Sequence, residues 1–148
     1  MDKSKFVESF AKDLFEKLEI PVDIDVHEDK ESIHVAIEGE NLGVIIGRYG
    51  ETLNSLEQII GIALLQKFET PMFIKVDAGG WRKSREESLQ EMALRAITKV
   101  EETGREYEFP PMSPAERRLV HMVIGEHDTV TSESIGEGND RRIVLKAK

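Results

Sequence analysis

"GVIIGRYGETLNSLEQII", residues 43–60, joins an apolar run to a loop that holds two glycines, an arginine and a tyrosine. Gly47 and Gly50 have no Cβ atom, so the backbone can adopt positive φ angles and a ligand can approach it closely. The helix predicted to follow begins at the loop, and its unpaired N–H groups favour an anion there. Arg48 adds a positive charge, and Tyr49 adds a ring on which a base can stack. A phosphodiester backbone would satisfy all of these groups.

Two other interpretations of the loop come from the same residues. The first is a tight turn between helices in which glycine serves backbone geometry alone, and four residues by themselves favour it. The second is a helix-turn-helix that inserts its second helix into duplex DNA. This second interpretation fits poorly, because the helix presents Glu51, Ser55 and Glu57 rather than basic side chains. The loop alone therefore does not decide between a turn and a phosphate site.

The composition limits the class of protein. The chain has 148 residues, 39% of them hydrophobic, which suits one ordinary domain or two small ones. Its longest apolar runs, such as Ile59–Leu65, are far shorter than the roughly 20 residues of a membrane span, so no membrane insertion is expected. The charged N-terminus lacks the apolar core of a secretory signal, and there is no cysteine for disulfides or thiolate metal sites. We therefore expect a cytoplasmic protein.

The net charge of −9 argues against nucleic acid at first sight, because phosphate binding favours basic surfaces. The acidic residues are unevenly distributed, however. Residues 1–40 hold five basic against twelve acidic residues, whereas residues 41–148 hold 15 basic against 17 acidic residues. The part of the chain that contains the glycine loop is therefore close to neutral and can present local basic patches.

Hydrophobic periodicity predicts the elements around the loop. Apolar residues at helical spacing indicate a first helix that Pro21 ends, and two alternating runs indicate strands joined by a polar turn. The predicted elements are a helix at 4–19, strands at 22–27 and 32–37, a short helix at 41–46, a helix at 51–68 and a strand at 72–78.

The second half of the chain is also a mixture of helix and strand. Two prolines exclude regular helix from the segment that follows Gly104. A capping box with a proline at the first helical position, Ser113–Glu116, marks the start of the next helix. The predicted elements are a helix at 81–103, an extended segment at 105–112, a helix at 113–125 and a hairpin of strands at 129–135 and 141–147.

The order helix, strand, strand, helix, glycine loop, helix, strand resembles the bacterial-type, or type II, KH domain. The wording IEGENLGVIIGRYGETLNSLEQII, residues 37–60, is specific enough to carry this resemblance. It implies an α+β fold with a KH domain at residues 1–80. It also implies that the GXXG loop, residues 47–50, grips the backbone of about four single-stranded nucleotides while an apolar groove holds their bases.

A second motif lies in the helix predicted at 113–125. Arg117 and His121 are four residues apart, so they project from one face of this helix. Such a pair is by itself more often solvated or structural than functional, and no carboxylate is placed to complete a metal site. In context, EFPPMSPAERRLVH followed by VTSESIGEGNDRRIVLKA resembles the R-three-H domain, which is named for its Arg-x-x-x-His motif and binds single-stranded nucleic acid.

A KH domain that runs directly into an R-three-H domain resembles the Jag family, the SpoIIIJ-associated RNA-binding proteins of bacteria. The resemblance covers residues 4–147 and implies a small α/β R-three-H domain at 81–148. It implies that Arg117 and His121 bind nucleic acid, and Arg141 falls where the family places a further arginine.

Basic residues also crowd the first turn of the long helix. Arg82, Lys83 and Arg85 lie where the helix dipole disfavours positive charge. A broken local rule is often a sign of function, so Arg82 and Arg85 are candidate nucleic-acid contacts. The alternative is local ion pairing. Trp81, just before them, is predicted to be a half-buried anchor rather than a stacking platform.

These features predict an RNA-binding protein that holds single-stranded RNA through both modules, as a post-transcriptional regulator or an RNA chaperone. Single-stranded DNA stays open as a ligand, as do a protein partner and a homodimer. The alternative is an acidic interaction or scaffold protein that binds a basic partner through residues 1–40, with weak or no RNA binding. Neither an enzyme nor a cofactor is expected, since the sequence has no phosphate-binding P-loop, nucleophile elbow or metal cluster.

Overall fold

The computed structural model describes residues 2–148. The chain divides between Arg82 and Lys83 into two compact units, each with its own sheet and its own hydrophobic core. Both units combine helices with a three-stranded sheet, so the predicted α+β fold is confirmed. Within the described residues, no helix has the length and apolar composition that a bilayer crossing requires.

The first unit follows the predicted order of elements, and its glycine loop contains a 3₁₀ turn. This order is the one that the resemblance to a type II KH domain implied. The elements are α1 (Lys3–Lys17), β1 (Asp23–Glu28), β2 (Ser32–Glu38), α2 (Gly43–Ile46), the 3₁₀ turn (Arg48–Gly50), α3 (Glu51–Phe68) and β3 (Phe73–Ala78).

The sheet of the first unit has the strand order β1-β2-β3. Strands β1 and β2 form an antiparallel hairpin, whereas β2 and β3 are parallel. A parallel pair requires a crossover connection, and α2, the glycine loop and α3 provide it. Along β2, Ile33, Val35 and Ile37 are buried in the core while Ala36 and Glu38 are exposed, so the sheet has one covered and one open face. The glycine loop thus lies at one end of the helix that crosses the covered face.

Helix α1 ends before Pro21, which the sequence predicts as its end. Its last residue is Lys17, and Glu19 adopts a left-handed conformation with φ of 58°. The Ile20 N–H donates to the Phe15 carbonyl at 3.0 Å, as in a Schellman motif. The helix therefore ends in this hydrogen-bonded motif, two residues before the predicted end at residue 19, and Pro21 follows the motif directly.

The second unit begins inside a long helix, α4 (Trp81–Thr103), whose first two residues belong to the first unit. Its sheet has the order β4-β6-β5 and is antiparallel throughout. The predicted hairpin is β5–β6, and the segment predicted only as extended contributes the short strand β4 to the other edge. The remaining elements are β4 (Tyr107–Glu108), α5 (Pro114–Gly125), β5 (Val130–Ile135), a 3₁₀ turn (Gly138–Asp140) and β6 (Arg142–Ala147).

The start of α5 is the capping box that the sequence predicts. The Glu116 N–H donates to Ser113 Oγ at 3.3 Å, and the Ser113 N–H donates to Glu116 Oε1 at 3.2 Å. Because these reciprocal bonds set the first residue of the helix, they also set which face carries the Arg-x-x-x-His motif. The adjacent face of α5 buries Val120 and Ile124 in the second core.

Candidate nucleic-acid interface

Gly47 occupies a backbone conformation that other residues do not adopt. Its φ of 72° and ψ of −178° lie in a region populated essentially by glycine alone. A Cβ atom here would lie 2.3 Å from Thr52 Oγ1 and 2.9 Å from the Thr52 backbone nitrogen. The glycine is therefore required both by the turn and by the close approach of the first turn of α3.

Gly50 needs the absence of a side chain for a different reason. Its φ is 78°, and a Cβ atom would lie 2.6 Å from Cζ3 of Trp81. The space beside Gly50 is thus filled by an indole ring, so here glycine permits packing rather than the approach of a ligand. Trp81 is half-buried and packs against the first core, as the predicted anchor does.

Arg48 and Tyr49, between the two glycines, lie against each other. The guanidinium carbon of Arg48 is 4.9 Å from the centroid of the Tyr49 ring, and Arg48 Nη2 donates to Tyr49 Oη at 3.3 Å. Tyr49 is a left-handed non-glycine residue with φ of 56°. Helix α3 begins at Glu51, and its N-cap, Gly50, has no side chain to bind the first N–H groups of the helix. The loop therefore brings together a cation, a ring and the positive end of a helix dipole.

An exposed apolar side chain next to the loop is missing from the predicted site. Val44 in α2 is 67% exposed, whereas the neighbouring Ile45 is 1% exposed. Val44 lies in the short helix that leads directly into Gly47, so it is a candidate wall for an apolar groove. The sequence signal is weak, because GVII is uniformly apolar and only the direction of the helix separates the two side chains.

Arg82 is bound within the first unit. Its Nε donates to the Val76 carbonyl at 2.9 Å, and its Nη2 donates to Asn54 Oδ1 at 3.1 Å and to Glu57 Oε2 at 3.2 Å. Glu57 Oε2 also accepts the Val76 N–H at 2.8 Å. The Arg82–Glu57 pair thus binds both backbone groups of Val76 in β3. This strand is at an edge of the sheet, where unpaired backbone groups invite association. This geometry favours ion pairing over a nucleic-acid contact, although the partner is 25 residues away in the chain rather than in the same helical turn.

Arg85 is bound within the second unit. Its Nε donates to Glu116 Oε2 at 2.5 Å, and the two side chains are 29% and 8% exposed respectively. Glu116 therefore serves the capping box with one oxygen and Arg85 with the other. The contact supports ion pairing for this residue too, with a partner 31 residues away, and a role of Arg85 in nucleic-acid binding stays a prediction.

The arginine–histidine pocket is an open pocket of about 440 Å³ in the second unit. Arg117 Nη1 donates to the Met112 carbonyl, and Arg141 Nη1 donates to the Gly136 carbonyl at 2.9 Å. A guanidinium has five N–H donors, so one such bond orients the group without using all of them. The structure thus brings three predicted residues together. The pocket is lined by Pro114, Arg117, Arg118, His121, Met122, Ser134 and Arg141.

His121 is held by two serines of β5 that the sequence does not single out. Its Nδ1 lies 2.7 Å from Ser132 Oγ, and its Nε2 lies 2.9 Å from Ser134 Oγ. Burial, with Arg117 and Arg141 nearby, lowers the pKa of His121 from its usual 6.5. A neutral imidazole donates through one nitrogen and accepts through the other, which matches two hydroxyl partners. Ser132 and Ser134 alternate along a strand, but only the packing of β5 on α5 selects them.

Two family profiles match the chain. The profile "KhpA/KhpB, KH domain" matches residues 4–76, and the profile of the R-three-H domain matches residues 87–147. RNA-binding protein KhpB of Bacillus subtilis (strain 168) is 30% identical over 128 residues, which are 85% of this chain and 62% of that protein. The chain belongs to the KhpB, or Jag, family.

Other KhpB proteins match over most of the chain. RNA-binding protein KhpB of Clostridium symbiosum is 29% identical over 141 residues, 94% of this chain and 64% of that protein. RNA-binding protein KhpB of Streptococcus pneumoniae serotype 2 is 27% identical over 139 residues, 94% of this chain and 42% of that protein. The chain therefore spans less than two thirds of the length of these KhpB relatives.

Proposed function

We propose that this chain binds single-stranded RNA through two modules, the GXXG loop of the KH domain and the arginine–histidine pocket of the R-three-H domain. The observation that carries the proposal is the loop itself. Gly47 holds a conformation reserved for glycine at the N-terminus of the 18-residue helix α3, with Arg48 and Tyr49 between the glycines. The name RNA-binding protein KhpB, borne by the relatives, supports the same ligand.

Each module offers groups of suitable chemistry. At the GXXG loop, phosphate oxygens would accept from the N–H groups of α3 and from Arg48, while a base stacks on Tyr49. The exposed Val44 would form part of the groove for the bases. In the arginine–histidine pocket, Arg117 and Arg141 would donate to a phosphate beside the neutral imidazole of His121. Two weak contacts on one strand bind more tightly than either alone.

The remaining parts of the proposal are finer than RNA binding. We place the KH domain at residues 1–80 and the R-three-H domain at 81–148, with the profile ends at 76 and 87 as support. We prefer RNA to single-stranded DNA as the ligand. We also prefer a role as a post-transcriptional regulator or RNA chaperone to a role in catalysis. A protein partner or a homodimer stays a prediction. The cytoplasmic location stays a prediction. The names of the relatives do not favour the acidic scaffold.

The test uses two double variants and two lengths of RNA. Arg48→Asp with Tyr49→Asp repels phosphates and keeps both glycines, so the fold should survive. Base stacking on an aromatic side chain is worth about 1–3 kcal/mol, so affinity for a four-nucleotide RNA should fall at least about fivefold. Arg117→Ala with His121→Ala should weaken binding of a roughly 20-nucleotide RNA by loss of avidity and leave binding of the four-nucleotide RNA almost unaffected. The short RNA has four nucleotides because a KH loop clamps about four.

Controls separate the site from general charge and from stability. Lys67→Asp reverses a charge in the last turn of α3, at the opposite end from the loop, and should leave affinity unchanged. The slope of log K against log salt should be about −0.7 per phosphate neutralised on a single strand. A folded aspartate double variant that binds RNA as tightly as the parent would contradict the proposal. Equal loss of short and long ligands in the alanine double variant would contradict separable sites.

A further inference from the structure

Trp81 lies against the GXXG loop but has no place in the RNA contacts proposed for that loop. It is the single tryptophan of the chain, it is half-buried, and it packs against the core of the first unit. Its ring is beside Gly50, 2.6 Å from the position that a Cβ atom would take. The first residue of α4 thus contributes to the floor of the loop.

The residues around Trp81 hold it in place from both sides. Asp77 Oδ1 accepts the Ala78 N–H at 2.9 Å and the Arg82 N–H at 3.2 Å, which joins the end of β3 to the start of α4. The Arg82 side chain binds the Val76 carbonyl and Glu57. Trp81 is therefore next to a fixed residue, and its backbone cannot withdraw from the loop without loss of these bonds.

The loop, in contrast, has a backbone that needs support. Tyr49 and Gly50 are consecutive left-handed residues, with φ of 56° and 78°. A non-glycine residue in this region costs free energy and persists only where its surroundings hold it. In the described part of the chain, no hydrogen bond from a side chain caps the start of α3 at Gly50. The indole ring packs beside Gly50 and supports this backbone, together with the bond from the Gly50 N–H to the Gly47 carbonyl at 3.4 Å and the contact between Arg48 and Tyr49.

We propose that Trp81 is a positioning residue for RNA binding: its indole ring, fixed by Asp77 and Arg82, holds Tyr49 and Gly50 in the left-handed conformation that directs the GXXG loop to the phosphates. Trp81 sets the affinity of the loop without a contact to RNA. The proposal rests on the proposed function of the loop. It also extends the functional KH module past residue 80, into the first turn of α4.

The test compares Trp81→Ala and Trp81→Phe in the full chain. The probe is a fluorescein-labelled, random-sequence single-stranded RNA of about four nucleotides, the length that a KH loop clamps. If the loop of the alanine variant is competent a tenth of the time, the apparent affinity falls about tenfold. Trp81→Phe keeps a ring and should restore most of the affinity. If the alanine variant does not fold, Trp81→Leu, which keeps an apolar side chain without a ring, carries the test and should bind this RNA less tightly than Trp81→Phe.

The matched control is Leu64→Ala. Leu64 is fully buried in the same core, and it lies about 20 Å along α3 from Gly50 at 1.5 Å per residue. This variant should lose stability without loss of RNA affinity, at a temperature where it remains folded. Hydrogen exchange of the peptide spanning residues 44–53 should accelerate more in Trp81→Ala than in Leu64→Ala.

The outcomes separate this proposal from the proposed function. If the parent protein binds no RNA, the proposed function is wrong, and the exchange measurement still tests the support of the loop. If the parent binds RNA and folded Trp81→Ala binds equally tightly, the positioning role is wrong and RNA binding stands. Equal affinity losses in Trp81→Ala and Leu64→Ala would also overturn it, because they would reflect stability alone.

Discussion

Removal of Arg85 tests whether the basic first turn of α4 serves the fold or RNA. The Glu116 side chain is 8% exposed, yet its carboxylate binds the Ser113 N–H with one oxygen and Arg85 with the other. Arg85→Ala leaves the first of these bonds and removes the second. The variant therefore leaves a charged oxygen without its partner in a mostly buried place.

The expected loss of stability follows from the exposure of the two side chains. Loss of one partner from a fully buried ion pair costs about 3–5 kcal/mol. Arg85 is 29% exposed, so water replaces part of the contact. A hydrogen bond to a charged group is worth about 1.5–3 kcal/mol, and we expect a loss of about 2 kcal/mol for Arg85→Ala. For a domain of this size each kcal/mol lowers the melting temperature by about 4–8 °C.

Urea denaturation followed by circular dichroism measures this loss, and a double-mutant cycle assigns it to the pair. Glu116→Gln keeps a residue that suits the capping box but weakens the bond to Arg85. The double variant should lose less than the sum of the single losses, by about 1 kcal/mol. Arg95→Ala, at an exposed position on the same helix, is the matched control and should change stability little.

RNA binding by the same variants completes the test. Since Arg85 is engaged with Glu116, Arg85→Ala should leave both the affinity of the folded protein and its salt slope unchanged. Unchanged stability together with a shallower salt slope would refute the structural role and return Arg85 to the RNA-binding surface. Additive losses in the cycle would show that the two side chains are not coupled.

Two further predictions concern the two modules separately. The pKa of His121 is lowered in the folded protein, so the unfolded chain binds a proton more readily than the folded one. Stability should therefore fall as pH drops below about 6.5. His121→Gln should flatten this pH dependence, measured as urea midpoints across that range. A pH dependence unchanged by the substitution would show that His121 is not its source. Gly47→Ala places a Cβ atom 2.3 Å from Thr52 Oγ1. The resulting backbone strain should lower the free energy of unfolding by about 1–3 kcal/mol or more, measured by urea denaturation. Stability equal to the parent's would show that the loop does not hold this geometry.

Local patterns were sufficient to predict the order of elements and much of the candidate site. The capping box at Ser113 acts over three residues, and the Arg117–His121 spacing depends only on the pitch of one helix. Features that depend on pairs distant in the chain were not predictable in this way. The short strand β4 is an example, because Tyr107 pairs with Leu145 and no pattern within residues 105–112 shows it.

The sequence by itself determined the two-module order, the glycine loop at a helix start and the position of the Arg-x-x-x-His motif, because periodicity, capping and glycine chemistry act over a few neighbouring residues. Only the tertiary structure decided which contacts the side chains around these groups make. It placed Trp81 beside Gly50 and bound Arg85 to Glu116, whereas the charge pattern alone suggested a surface for RNA. An ion pair or a packing contact depends on distances between atoms far apart in the chain, and folding sets these distances.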